Sequence, residues 1–224
     1  MSQPIVIAVD GTAASGKGTL AKLLARHFGF AHLDSGSLYR LTALAVLDMN
    51  GDPKNETDAV KGARAIDLSR AGEQAIRSDR VGAAASQVAA IPAVRHALFA
   101  FQRSFLEHPP GGSEGAVMDG RDIGTVICPN AAAKLFVDAA LQVRAQRRWL
   151  ELRQLGIERD LDGLVKELEA RDRADATRPI SPMRRAADAD LLDTSELDID
   201  AALAAALAFV KPKVEAALKA KPRG

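Results

Sequence analysis

The sequence predicts an α/β fold built on a parallel sheet, and three observations carry that prediction. Short apolar, β-branched runs alternate with longer segments of helical spacing. Five of these runs close with an aspartate at or just past the C-terminal end, namely Asp10, Asp34, Asp119, Asp138 and Asp193. The first run leads through a glycine-rich turn straight into a helical pattern. In such folds ligands gather at the carboxyl ends of the strands, where those aspartates lie.

The elements follow in order. Ile5-Val6-Ile7-Ala8-Val9 is continuous and apolar up to Asp10-Gly11, the signature of a strand buried on both faces. After Lys17, residues Leu20, Leu23, Leu24 and Phe28 recur at helical spacing. Residues 30–33 predict a second strand and residues 37–47 a second helix. Between residues 51 and 80 the pattern weakens: Gly51-Asp52-Pro53-Lys54-Asn55 is turn chemistry, and the charged stretch after it has little periodicity. Residues 81–106 predict two helices divided at Pro92, the second with Val94, Leu98, Phe101 and Phe105 on one face. Ala116-Val117-Met118, Leu135-Phe136-Val137 and residues 189–192 predict the remaining strands. An arginine-rich helix is expected to about Gln154, another over about 161–174 with Gly156 in the turn between, and an alanine-rich one over about 200–220.

Composition narrows the function classes. The chain has 224 residues, 47% of them hydrophobic but only 4% aromatic, so its core must be built from Ala, Leu, Val and Ile. Thirty Lys and Arg oppose twenty-nine Asp and Glu, so no global field recruits nucleic acid or a membrane surface. One cysteine, Cys128, excludes an internal disulfide framework. Residues 81–94 form the longest uncharged stretch, too short for a bilayer, and the N-terminus lacks the basic and apolar regions of a leader. The expectation is a soluble, cytoplasmic, monomeric protein.

Gly11-Thr12-Ala13-Ala14-Ser15-Gly16-Lys17-Gly18-Thr19 lies between a predicted strand and a predicted helix, the context a phosphate-binding P-loop requires. Its backbone N–H groups can turn inward around a phosphate, the helix N-terminus adds a favourable dipole, and Lys17 brings a mobile positive charge to the β- and γ-phosphates. Gly18 displaces the usual hydroxyl by one position, to Thr19; Gly-Lys-Gly-Thr is the variant of nucleoside monophosphate kinases. The motif implies phosphoryl chemistry on a nucleoside triphosphate but does not name the acceptor.

The acceptor comes from the remaining motifs. These are residues 33–40 (Leu-Asp-Ser-Gly-Ser-Leu-Tyr-Arg), 85–89 (Ala-Ser-Gln-Val-Ala), 118–126 (Met-Asp-Gly-Arg-Asp-Ile-Gly-Thr-Val), and Arg171-Asp172-Arg173 with Asp175 and Arg178. In this order, with the P-loop, they resemble bacterial cytidylate kinases over nearly the whole chain. The resemblance implies γ-phosphoryl transfer from ATP to CMP or dCMP, with Mg²⁺, in pyrimidine nucleotide metabolism. It also implies a P-loop NTPase fold with a five-stranded parallel core at about 1–50, 112–145 and 176–224. A monophosphate-binding lobe would span about 51–111 and a lid about 146–175.

Each residue has its own chemistry. Ser35 opens a helix and can hold a phosphate with Arg40 one turn on, although taken alone Ser35 reads better as a plain helix cap. Asp119, with Thr19, can hold Mg²⁺. Arg144, Arg147, Arg148 and Arg153 precede the lid and Arg171, Arg173 and Arg178 follow it; guanidinium groups match the charge of a transferring phosphoryl, and a solvated helix face is the alternative. The resemblance favours Arg171 as a CMP-binding residue and Arg178 for both binding and catalysis; the expected catalytic set is Lys17, Arg121, Arg148 and Arg178. For the base, Asp122 would accept from cytosine N4 while Arg95 and Ser86 serve N3 and O2. Asp175 would hold a ribose hydroxyl, with Arg121 and Arg178 on the acceptor phosphate.

Two departures stand out. Thr12 replaces a more usual proline at a position expected to donate little beyond backbone, and the insert lacks an alternating run that could form the small antiparallel sheet of many relatives. A P-loop kinase for UMP or a shikimate-like metabolite is one competing reading. A nucleotide switch is the other, for which the sequence holds no Asn-Lys-x-Asp.

Overall fold

The computed structural model describes residues 3–220. Five strands form one sheet: β1 (Ile5–Gly11), β2 (Ala31–Asp34), β3 (Gly115–Gly120), β4 (Ala133–Asp138) and β5 (Asp190–Asp193). Their order is β2-β3-β1-β4-β5, and β1 lies parallel to both β3 and β4, as β4 does to β5. Every residue of β1 is buried, which is why its sequence is continuously apolar rather than alternating. One face of the sheet is covered by α1 (Lys17–Phe28) and α8 (Ile199–Ala220). The core between them is Ile7, Val9, Leu20, Leu24, Leu135, Val137, Val210 and Val214, with almost no aromatic contribution. None of the described helices is long and apolar enough to cross a membrane.

The chain divides into two compact units. The first holds the described residues up to Leu33 and those from Leu106 onward; the second is Asp34–Phe105. In the first unit, beyond the sheet, α6 (Leu141–Gln154) and α7 (Leu161–Thr177) pair through Ala145, Leu152, Leu164 and Leu168. Gly156, at φ 74°, makes the turn after α6, and the Trp149 indole donates to the Arg159 carbonyl across that connection.

In the second unit, α2 (Ser35–Asp48) is the hub against which α3 (Glu56–Arg64) and α4 (Asp79–Ala89) pack. The helix α3 lies where sequence periodicity is weak, because its buried face is only Ala59, Gly62 and Ala63. Small residues at that spacing let the helices approach closely: a Cβ on Gly62 would sit 2.5 Å from Val46 Cγ2 and 2.8 Å from the Thr42 carbonyl oxygen. Gly62→Ala is therefore expected to destabilise the protein by about 1–3 kcal/mol through overpacking. Urea unfolding measures this, and an unchanged midpoint would contradict the tight α2–α3 crossing.

Pro92 opens α5 (Pro92–Glu107) as expected, but the buried face runs through Val94, Leu98 and Gln102, with Phe101 and Phe105 only half-buried. Gln102 is tolerated inside because its amide donates to the Leu98 carbonyl. Among the described residues no strand occurs between Asp52 and Arg80, in keeping with the missing alternation there.

Candidate active site

The phosphate loop is held in place by side chains that bond to its backbone carbonyls. Gly11 ends β1 at φ 149°, and a Cβ there would land 1.9 Å from the Val137 carbonyl oxygen, so no other residue fits. Ala14 and Gly16 also take positive φ, 59° and 88°, and α1 starts at Lys17. The Ser15 hydroxyl, fully buried, donates to the Thr12 carbonyl at 3.0 Å. Lys17 Nζ donates to the same carbonyl at 3.3 Å, folding its chain over the loop.

The Thr12 side chain does more than the sequence suggests. Its hydroxyl donates to Asp138 Oδ1 at 2.7 Å, tying the loop to the end of β4, a bond proline could not make. Arg147 donates to the hydroxyl and carbonyl of Thr194 at 2.9 and 2.6 Å, and the Thr194 hydroxyl donates to the Ser15 carbonyl at 2.9 Å. Buried Arg144 donates to the Ala139 and Ala13 carbonyls and pairs with Asp172, whose other oxygen accepts from the Ala13 N–H at 3.5 Å. These two arginines brace the loop. Arg153 stacks over the Trp149 ring, 5.2 Å from its centroid, and Arg148 pairs with Glu151 on the same helix at 2.9 Å.

The strand-ending aspartates divide their work. Asp119, at the end of β3 and 3% exposed, accepts from or is bonded to His32 Nε2 at 2.9 Å through Oδ1. Its Oδ2 faces the first turn of α1, since a Cβ on Gly18 would come within 3.5 Å of it. His32 has no metal-ligand spacing in sequence, and only the sheet brings it to Asp119. Thr19 is exposed on that same first turn. A carboxylate oxygen beside the first turn of the P-loop helix is a hard donor of the kind that suits Mg²⁺.

Asp10, 5% exposed at the end of β1, accepts from the backbone N–H groups of Ile123 and Gly124 at 2.8 and 2.7 Å. Those residues begin a single π-helical turn, Ile123–Ile127, that follows Asp122 and has no local sequence signal. Burial, opposed by the two N–H bonds and reinforced by the nearby charge of Asp122, raises the Asp10 carboxyl from 3.8 to about 6. Because the folded value lies above the unfolded one, the stability this group contributes is greatest below about pH 4. It falls as pH rises to about 6 and is flat beyond. The span corresponds to ~3 kcal/mol. Urea unfolding of wild type and Asp10→Asn should show their stability difference shrinking between pH 4 and 6.5, and a difference independent of pH would contradict the shift.

Also in the first unit, Arg121 Nε donates to Asp175 Oδ2 at 2.8 Å, and Arg178 lies 3.5 Å from Asp175 Oδ1. Burial alone would raise Asp175, but Arg121, Arg178 and Arg171 hold its carboxyl below the ordinary value. The structure thus gathers Arg121, Asp175 and Arg178 into one cluster, with Asp122 next to Arg121 in the chain and Arg171 one α7 turn before Asp175.

The second unit carries its own constellation. The cap of α2 is Asp34, which accepts from the Ser37 N–H at 3.2 Å and its hydroxyl at 2.7 Å, so Ser35 is not the cap but a buried first-turn residue. Arg40 donates to the Ile76 carbonyl at 2.6 Å and passes over Gly82, where a Cβ would lie 3.6 Å from the guanidinium nitrogens. Ser86, one turn along α4, donates to the Gly82 carbonyl at 3.3 Å. Arg95, 9% exposed, lies over the Tyr39 ring at 5.5 Å. The polar stripe Tyr39, Arg40, Ser86, Arg95 therefore comes from three helices of one unit.

Comparison with known proteins agrees with this architecture. The family model described as cytidylate kinase matches residues 7–212. The chain is 51% identical over 207 residues to the cytidylate kinase of Nitrobacter winogradskyi, covering 92% of this chain and 96% of that one. To the cytidylate kinase of Rhodospirillum rubrum it is 48% identical over 209 residues, covering 93% and 98%. A solved structure of an uncharacterized Eubacterium ventriosum protein shares the fold at TM-score 0.53 and 14% identity, covering 92% of this chain and 98% of that one. A strand, phosphate loop and helix in register, with the ordered motifs and this likeness along nearly the whole length, have one reading: the chain belongs to the cytidylate kinase family.

Proposed function

We propose that the protein phosphorylates CMP and dCMP, transferring the γ-phosphoryl group of ATP to give CDP and dCDP. The observation that carries this reading is the built phosphate loop inside a chain that matches named cytidylate kinases over nine-tenths of its length. The metabolite-kinase and nucleotide-switch alternatives are not favoured by that match.

Residues 11–19 hold the ATP phosphates, and the brace of Arg144, Arg147 and Thr194 fixes the loop so that little reorganisation is needed during transfer. Asp119 and Thr19 are proposed to hold Mg²⁺, which when bound would neutralise charge on the phosphate oxygens; His32 fixes the Asp119 carboxylate. The acceptor phosphate is a competent nucleophile at neutral pH, so no general base is required and catalysis rests on positioning and exclusion of water. Arg121 and Arg178 are proposed for the acceptor phosphate, with Arg171 and Arg148 contributing positive charge. In the structure the first two are anchored on Asp175, which would yield one oxygen to the ribose. Asp122 is proposed for cytosine N4, Arg95 and Ser86 for the rest of the base edge, and Ser35 and Arg40 for the monophosphate.

ADP release should be measured with CMP, dCMP, UMP, AMP, shikimate or no acceptor. Turnover is expected with the two cytidine nucleotides far above the rest, and turnover independent of acceptor would overturn the reading. The lid, proposed for residues 146–175, gives a second check. Residues 154–162 are expected to gain hydrogen-exchange protection when both substrates bind, and equal protection in the free and doubly bound protein would rule out closure.

A further inference from the structure

The α6–α7 pair holds Ala13 of the phosphate loop by every group that residue has. Its methyl is buried among Ala145, Leu152, Leu164 and Leu168, the apolar seam between the two helices. Its carbonyl accepts from Arg144 on α6 at 3.3 Å, and its N–H donates to Asp172 Oδ1 on α7 at 3.5 Å. The other oxygen of Asp172 pairs with the same Arg144 guanidinium at 2.5 Å, and Arg144 Nε donates to the Ala139 carbonyl just past β4 at 2.8 Å. One carboxylate and one guanidinium thus join the loop, α6 and α7 in a closed ring. Their side chains are 18% and 7% exposed, so water is a poor substitute for either partner.

Asp172 has a neighbour on α7 with different work. Asp175 lies three residues on, and residues at that spacing are adjacent on a helix surface. Asp175 Oδ2 accepts from Arg121 Nε at 2.8 Å, and its Oδ1 lies 3.5 Å from Arg178, the residue that ends the helix. The last two turns of α7 therefore carry two carboxylates side by side. One grips the loop proposed for the ATP phosphates, and the other anchors the guanidinium groups proposed for the acceptor phosphate. A hydrogen-bonded helix is stiff over a single turn, so fixing Asp172 fixes where Asp175 stands. Phosphoryl transfer needs the attacking and leaving oxygens in line and asks the protein for little covalent chemistry beyond that.

The geometry points to Asp172 as a positioning residue for phosphoryl transfer: through Arg144 and Ala13 it docks α7 on the phosphate loop and so sets the spacing between donor and acceptor phosphates. Both its oxygens are committed within the protein, and it acts through the groups it places. The inference rests on the reading of Arg121 and Arg178 as acceptor-phosphate residues, and adds the carboxylate that locates them.

The test measures kcat, both KM values and calorimetric ATP affinity in wild type, Asp172→Asn, Asp172→Glu and Arg121→Lys, with urea midpoints alongside. Asparagine keeps the shape but replaces one acceptor oxygen by an NH2, so either the guanidinium or the Ala13 N–H loses its partner. Asp172→Asn should lower kcat by roughly 10- to 100-fold, as a displacement of about 1 Å can, while both KM values and ATP affinity stay within about threefold. Asp172→Glu keeps the charge for Arg144 but adds a methylene between helix and loop. Its urea midpoint should stay close to wild type while kcat remains at least about tenfold down, a split that a purely structural ion pair would not produce. A normal kcat in either variant, with any change confined to stability, would overturn the inference and make Asp172 a structural tie. A raised KM for ATP with kcat unchanged would also overturn it, assigning the residue to ATP binding. Arg121→Lys tests the underlying reading separately: CMP turnover should fall, because an ammonium cannot reproduce the guanidinium fork. If it does not fall, the acceptor-site reading fails and the inference with it. If it falls while Asp172→Asn turns over normally, only the inference fails. Should Asp172→Asn not fold, the split between stability and kcat in Asp172→Glu decides alone.

Discussion

Replacing Lys17 by alanine is expected to lower kcat by roughly 100-fold or more while ATP affinity falls less. Lys17 is the first residue of α1, and its ammonium folds back to the Thr12 carbonyl at 3.3 Å across a loop otherwise made of backbone. Negative charge shifts among the β- and γ-phosphate oxygens during transfer, and a positive group that follows it stabilises the transition state more than the bound substrate. Binding of ATP itself retains the loop amides and the helix dipole. The measurement is steady-state kinetics with calorimetric ATP binding on the same variant. A kcat near wild type with only a raised KM for ATP would mean that Lys17 binds ATP and no more.

A second large effect is expected at the base. Cytosine offers a donor at N4 where uracil has an acceptor, so a carboxylate there accepts from one and repels the other. Asp122 is 6% exposed, so few water molecules can compensate a wrong partner. Asp122→Asn is expected to reduce the CMP over UMP ratio of kcat/KM by at least about tenfold, mostly by loss of CMP activity. An unchanged ratio in a folded variant would make Asp122 structural.

Legibility of the fold in the sequence followed from where the information is stored. The five strands and their parallel arrangement could be read because buried strands are locally apolar, and the phosphate loop because strand, glycines and helix are contiguous. Strand ends were read short: Asp10-Gly11 and Asp119-Gly120 belong to β1 and β3, their carboxylates made tolerable by distant partners. The helix α3 gave little signal because Ala59, Gly62 and Ala63 bury it without large apolar groups. The π-turn gave none, since its cap lies on another strand. The bond from Thr12 to Asp138, the pairing of His32 with Asp119 and the hold of Arg147 on Thr194 join residues far apart in the chain, and no spacing rule announces them. Of the arginines left open between phosphoryl binding and a solvated face, Arg147 turned out to be a brace and Arg153 a partner of Trp149.

The central claim is that phosphate leaves ATP for a cytidine monophosphate rather than for water. Incubation with γ-phosphate-labelled ATP, Mg²⁺ and CMP, followed by separation of the nucleotides, addresses it directly. The label is expected in CDP, in amount equal to the ADP formed, with none released before CMP is added. Label recovered as inorganic phosphate, at a rate that CMP does not change, would contradict it.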